Sequence, residues 1–160
     1  MTQCSALQID ERTYEPLHIQ PCTGDCLSVN VDSTQVSKFI QEGKTPLVEL
    51  PLVRELGSEL RVTEHVNSAP FLAISHVYAY RIGNKNNTIL MCQLRRLQKF
   101  LTLLHGDSAG PCLIWMDVLC VPIANEYRES RKMAVSQIAQ TFRDTEGILV
   151  LDTTLLETPL

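Results

Sequence analysis

Three short apolar runs constrain this chain more than any other feature: "FLAISHV" (71–77), "CLIWMDVLCV" (112–121) and "GILVLD" (147–152). Each has strand length and lacks polar alternation, as expected of strands covered on both faces of a parallel sheet. Between them lie two stretches of helical period. The first, from about Thr88 to His105, places Leu90, Leu94, Leu97, Leu101 and Leu104 on one stripe, with Arg95, Arg96 and Lys99 off it. The second opens at Asn125 as the expected cap, with Glu126 and Glu129 near the positive dipole end. Its apolar side carries Val135, Ile138, Ala139 and Phe142. Strand, helix, strand, helix, strand is the pattern of an α/β fold, a parallel sheet flanked by helices.

Upstream, residues 1–25 read as a polar arm and 26–66 as a small N-terminal β/α elaboration of a single 26–160 domain, whose core is 67–160. "LSVNV" (27–31) alternates like a half-buried strand, and Asp32 is placed to cap the helix "STQVSKFIQE", which Gly43 ends. "TPLVELPLV" and "ELRVTEHV" read as short strands, with Pro46 and Pro51 pushing the first toward a sheet edge. A net charge of −4 argues against nucleic acid as the main partner, and Arg95, Arg96 and Lys99 read as a solvated helix face. No run reaches the roughly 18 apolar residues that span a bilayer, and no signal peptide opens the chain. The expectation is a cytoplasmic protein whose six cysteines are reduced, with no membrane partner.

Parallel sheets bind ligands outside the carboxyl ends of their strands. Here those ends gather Ser75, His76, Tyr78, Asp117, Cys120 and Asp152, of which the first five form the candidate ligand-binding set. A carboxylate inside an apolar run must be hydrogen-bonded or lie at the open end. Asp117 therefore either caps a helix or loop backbone or orients a ribose or a water. Adjacent Ser75 and His76 face opposite ways on a strand, so they are no nucleophile–base pair, and His76 reads as a satisfied buried histidine. With no Gly-x-Ser-x-Gly elbow, no catalytic residue is assigned. Gly83–Asn84 lacks the spacing of a phosphate loop. His18, Cys22 and Cys26 invite zinc, but the spacing is not that of a finger and a fourth ligand, such as Cys4, would have to come from elsewhere. Reduced thiols, with no metal and no cofactor, are the expectation.

In order, "FLAISHV", a loop with "GN", "CQLRRLQKF", "IWMDVLCVP" and "KMAVSQIAQTFRDTEGILVLD" resemble the heterokaryon-incompatibility (HET) domain of fungal proteins. "YEPLHIQPCTGDC…GKTPLVEL" is similar to the lead-in of one HET subgroup, so the likeness runs from about Tyr14 to Asp152. The resemblance implies a fold related to the Toll/interleukin-1 receptor (TIR) domain, a flavodoxin-like parallel sheet, and a role in non-self recognition and cell death. It also implies a possible substrate, NAD, with Ser75, Tyr78 and Asp117 lining its pocket. His76, Cys92 and Cys120 have counterparts in that subgroup and read as a buried group. Tyr78 stands where the family has Trp, and Arg81 where it has a small residue. The family's Trp-x-x-Gln-Glu helix has no counterpart before Leu160, and Glu157, with Pro159 close behind, does not align with it. The expectation is a truncated chain, NAD-cleaving only in complete form. Its rivals are a non-catalytic module that self-associates or binds a signalling partner, and a zinc-stabilised regulatory fragment.

Overall fold

The computed structural model describes residues 14–52, 55–67, 69–76, 81–83, 86–106 and 110–152. Its elements, in chain order, are β1 (Ser28–Val31), α1 (Ser33–Gln41), β2 (Pro46–Leu50), β3 (Glu59–Leu60), β4 (Val62–Glu64), β5 (Leu72–His76), β6 (Thr88–Leu90), α2 (Met91–His105), β7 (Cys112–Met116), α3 (Asp117–Cys120), α4 (Arg128–Asp144) and β8 (Gly147–Leu151). The strands form two sheets, in the orders β3-β1-β6 and β4-β2-β7-β5-β8.

The three apolar runs become β5, β7 and β8, with β5 between the other two and parallel to both. The sheet as a whole is mixed, because β2 joins β7 antiparallel and β4 joins β2 antiparallel. The architecture is thus α/β with two mixed sheets. β2 is interior, not the edge strand its prolines suggested. Pro46 is its first residue, where a missing N–H costs no ladder bond, and Pro51 lies just past its end.

The sheet's centre is dry. Leu47, Val48, Leu50, Ala73, Ile74, Ile114 and Met116 are almost fully buried and belong to one core with Leu94 and Leu101 of α2. Stripe member Leu104 is exposed, and Phe100 is buried with the stripe instead. The expected helix start at Thr88 is a strand, β6, which pairs with β1 before the chain turns into α2. On α4, Val135 and Ala139 are exposed, whereas Ile138 and Phe142 pack against the core. A buried Ser37 Oγ–Ser130 Oγ hydrogen bond of 2.6 Å fastens α4 to α1.

α1 is bounded as its sequence dictates. Asp32 Oδ1 accepts from the Thr34 and Gln35 amides at 2.9 and 3.1 Å. At the other end Gly43, with φ 73°, donates to Ile40 O while Lys44 donates to Phe39 O. These two bonds need a left-handed residue, which glycine adopts without a Cβ clash. Replacing the cap by alanine (Asp32→Ala) is expected to lower stability by about 1 kcal/mol. Urea denaturation checks this, and an unchanged midpoint would show the cap idle.

Candidate functional site at the carboxyl ends of β5 and β7

Two neighbouring residues of β7 show where the helices lie. Met116 borders a small cavity with Arg96, Leu97 and Phe100 of α2. The Trp115 ring meets Phe142 of α4 edge-on, with centroids 5.6 Å apart. Successive strand residues point to opposite faces, so α2 and α4 cover opposite faces of the sheet. These are the helices that follow β5 and β7. In open α/β sheets the carboxyl end of the strands is the point where ligands bind.

His76 and Asp117 stand at that point. His76 Nε2 donates to Asp117 Oδ1 at 2.8 Å, with the imidazole fully buried and the carboxylate 32% exposed. Asp117 is not within the strand. It opens the short helical turn α3, and the same Oδ1 accepts the Val118 amide at 2.8 Å. The acid in the apolar run is therefore explained: strand passes directly into helix there, and the carboxylate satisfies the Val118 amide in the first turn. Oδ2 has no hydrogen-bond partner among the described residues.

The turn is held from below by a residue whose role the sequence did not disclose. Asn87, buried and at φ 53°, donates through Nδ2 to Val118 O (2.8 Å) and Val121 O (2.7 Å) and accepts the Ile123 amide at 2.9 Å. One carboxamide thus replaces three backbone partners that an irregular buried segment would otherwise lack. Gly83 (φ 71°) presses on the same turn, since a Cβ there would collide with Val118 Cγ1 and sit 3.0 Å from Val118 Cβ. Its function is close packing. Gln93 completes the frame: Nε2 donates to Leu17 O and Arg81 O, both at 2.8 Å, and Oε1 accepts the Gly83 amide at 3.0 Å.

The sequence-derived candidates divide accordingly. His76 and Asp117 come together. Ser75 is paired within β5 next to His76 and so faces the other side of the sheet. Cys120 is at no strand end. It closes α3, is 1% exposed, and burial pushes its thiol up to about 12, so it packs as a small hydrophobe. The grouping of His76, Cys92 and Cys120 dissolves, because Cys92 belongs to a different cluster. Tyr78 lies outside the described residues, as do Cys4, Glu157 and Pro159. A cleft of about 470 Å³, lined by Phe71, His105, Cys112 and Glu146 among others, lies at the amino ends of β5 and β7, away from Asp117.

The arm is not free-standing. Tyr14 Oη donates to Gly83 O at 3.1 Å and the Leu17 amide to Arg81 O at 2.9 Å. This brings His18, Cys22 and Cys26 to Cys92, the second residue of α2, with the four ligand-type atoms all within 4.8 Å of one another. Among the described residues, Cys92 is the fourth member. The Gly24 amide pointing at Cys22 Sγ, helped by Cys26 and His18, holds that thiol down to about 6. Burial, with Cys26 and Cys22 nearby, pushes Cys92 up to about 11. Among the described residues these four are the ones placed to hold a metal.

Removing the Asn87 carboxamide (Asn87→Ala) leaves two carbonyls and one amide around α3 without partners, at an expected cost of about 3 kcal/mol. Chemical denaturation measures it, and a loss below about 1 kcal/mol would mean that water replaces the side chain.

Among the described residues no helix is long and apolar enough to cross a membrane. No family model, no curated protein and no solved structure matches this chain.

Proposed function

We propose that this chain is a HET-like domain of TIR-related fold acting in non-self recognition and cell death, and that the carboxyl ends of β5 and β7 bind NAD through Asp117. The observation that carries the reading is the Asp117 carboxylate. One oxygen is fixed by His76 and the Val118 amide, and the other is uncommitted among the described residues on a side chain that is one-third exposed. A carboxylate oriented in this way accepts hydrogen bonds from the two hydroxyls of a ribose. Its negative charge also favours the positive centre that develops at the ribose C1′ as the bond to nicotinamide breaks. His76 is buried, so it positions the carboxylate and does not exchange protons with a ligand.

A second reading, association without chemistry, is favoured by β8. That strand is the edge of the five-stranded sheet, and its Ile148 and Val150 are 50% and 57% exposed on one face. An apolar edge strand is a template for pairing with another chain.

Calorimetric titration with NAD, with nicotinamide release followed in parallel, separates the two. Saturable binding that weakens about tenfold or more in Asp117→Asn, with unchanged thermal unfolding, supports the nucleotide site. No saturable binding, or equal binding by the variant, overturns it. Self-association abolished by Val150→Lys would then leave the association module in its place.

A further inference from the structure

We infer that His18, Cys22, Cys26 and Cys92 form a closed tetrahedral site for a zinc-type divalent cation, which staples the N-terminal segment to the start of α2. In a tetrahedron with Zn–S near 2.3 Å and Zn–N near 2.0–2.1 Å, a nitrogen and a sulfur ligand lie about 3.6 Å apart. From His18 Nδ1 the three sulfurs lie at 3.2 Å (Cys22), 3.4 Å (Cys26) and 3.8 Å (Cys92). The spacing already brackets the coordinated one, so binding requires shifts of only a few tenths of an ångström.

The surroundings are those of a metal-thiolate centre. The Gly24 amide points at Cys22 Sγ at 3.4 Å and the Ile19 amide at Cys92 Sγ at 3.3 Å. Backbone donors aimed at sulfur stabilise thiolate charge and fix ligand orientation. Three thiolates and one imidazole select zinc among abundant divalent ions, because hard cations prefer oxygen donors. All four side chains are half-buried, so the cation can enter while the closed four-ligand set leaves no position for substrate. On binding, each thiol gives up its proton to solvent and two thiolate charges are neutralised by the cation. There is also a structural reason for a staple here. Residues 14–27 contain no helix or strand, and Cys92 sits beside Gln93, whose carboxamide holds the same segment at Leu17.

The test uses the full chain purified without chelator. Native mass spectrometry is expected to find about one Zn²⁺ per chain. Cobalt substitution should give the visible bands of a tetrahedral site with thiolate-to-metal charge transfer. Cys92→Ser should lose the metal and lower the melting temperature, whereas Cys112→Ser, remote from the cluster, should keep it. The cobalt spectrum of the unmodified chain decides the matter even where Cys92→Ser fails to fold. Three outcomes would overturn the site: no metal after refolding in excess Zn²⁺, full metal content in Cys92→Ser, or a Cys22, Cys26 or Cys92 disulfide that persists with zinc present.

Discussion

Irregular backbone buried beside the sheet must find hydrogen-bond partners, and in this protein two side-chain amides supply them. Residues 81–83, the arm from Tyr14 to Leu17 and the turn after β7 meet here without forming ladders of their own. Gln93 bonds to the arm at Leu17 and to the loop at Arg81 and Gly83. Asn87 bonds to both sides of the turn at Val118, Val121 and Ile123. An unpaired buried amide or carbonyl costs about 1–3 kcal/mol, so these six groups cannot be left to chance. With the two carboxamides in place, loops that would otherwise fray become part of the core.

The site follows from that frame. β5 and β7 are parallel neighbours whose helices leave on opposite faces, and His76 and Asp117 meet at their carboxyl ends. Because α3 is gripped by Asn87 and by the packing of Gly83 on Val118, Asp117 is held on a short, rigid turn. The thiol cluster lies behind the same frame, one residue from Gln93. Loss of order in the arm would therefore reach the loop at Arg81, and through Gly83 the turn that carries Asp117.

Much of this was legible in the sequence, and the failures have physical causes. The runs that became β5, β7 and β8 are apolar because both faces are covered, and that signal is local. Asp32 and Gly43 were legible because capping chemistry is local too. The capping role of Asp117 was legible, since an acid in an apolar run needs backbone amides, but the turn α3 was not, because an apolar run that passes from strand into one helical turn keeps the same composition throughout, and periodicity cannot mark the change. β6 was read as helix because three residues carry no period, and its partner β1 is remote in sequence. Cys92 was grouped with the wrong residues because its contact with His18 spans 74 positions, and only the fold brings the two together. Asn87 gave no signal at all, since an Asn in a polar loop ordinarily faces water. The exposure of Val135 and Ala139 on α4 has the opposite cause: the helix turns its Phe142 to Trp115 and leaves a flank uncovered.

The central claim is that the carboxyl ends of β5 and β7 form a ligand site organised by Asp117. The most direct measurement is a two-dimensional amide NMR titration of the ¹⁵N-labelled chain with NAD. The account predicts saturable shifts clustered at His76, Asp117 and Val118 and spreading to Asn87, with Ile148 and Val150 unmoved. No shifts, or shifts confined to β8 or to the amino-end cleft near Phe71 and Cys112, would contradict it.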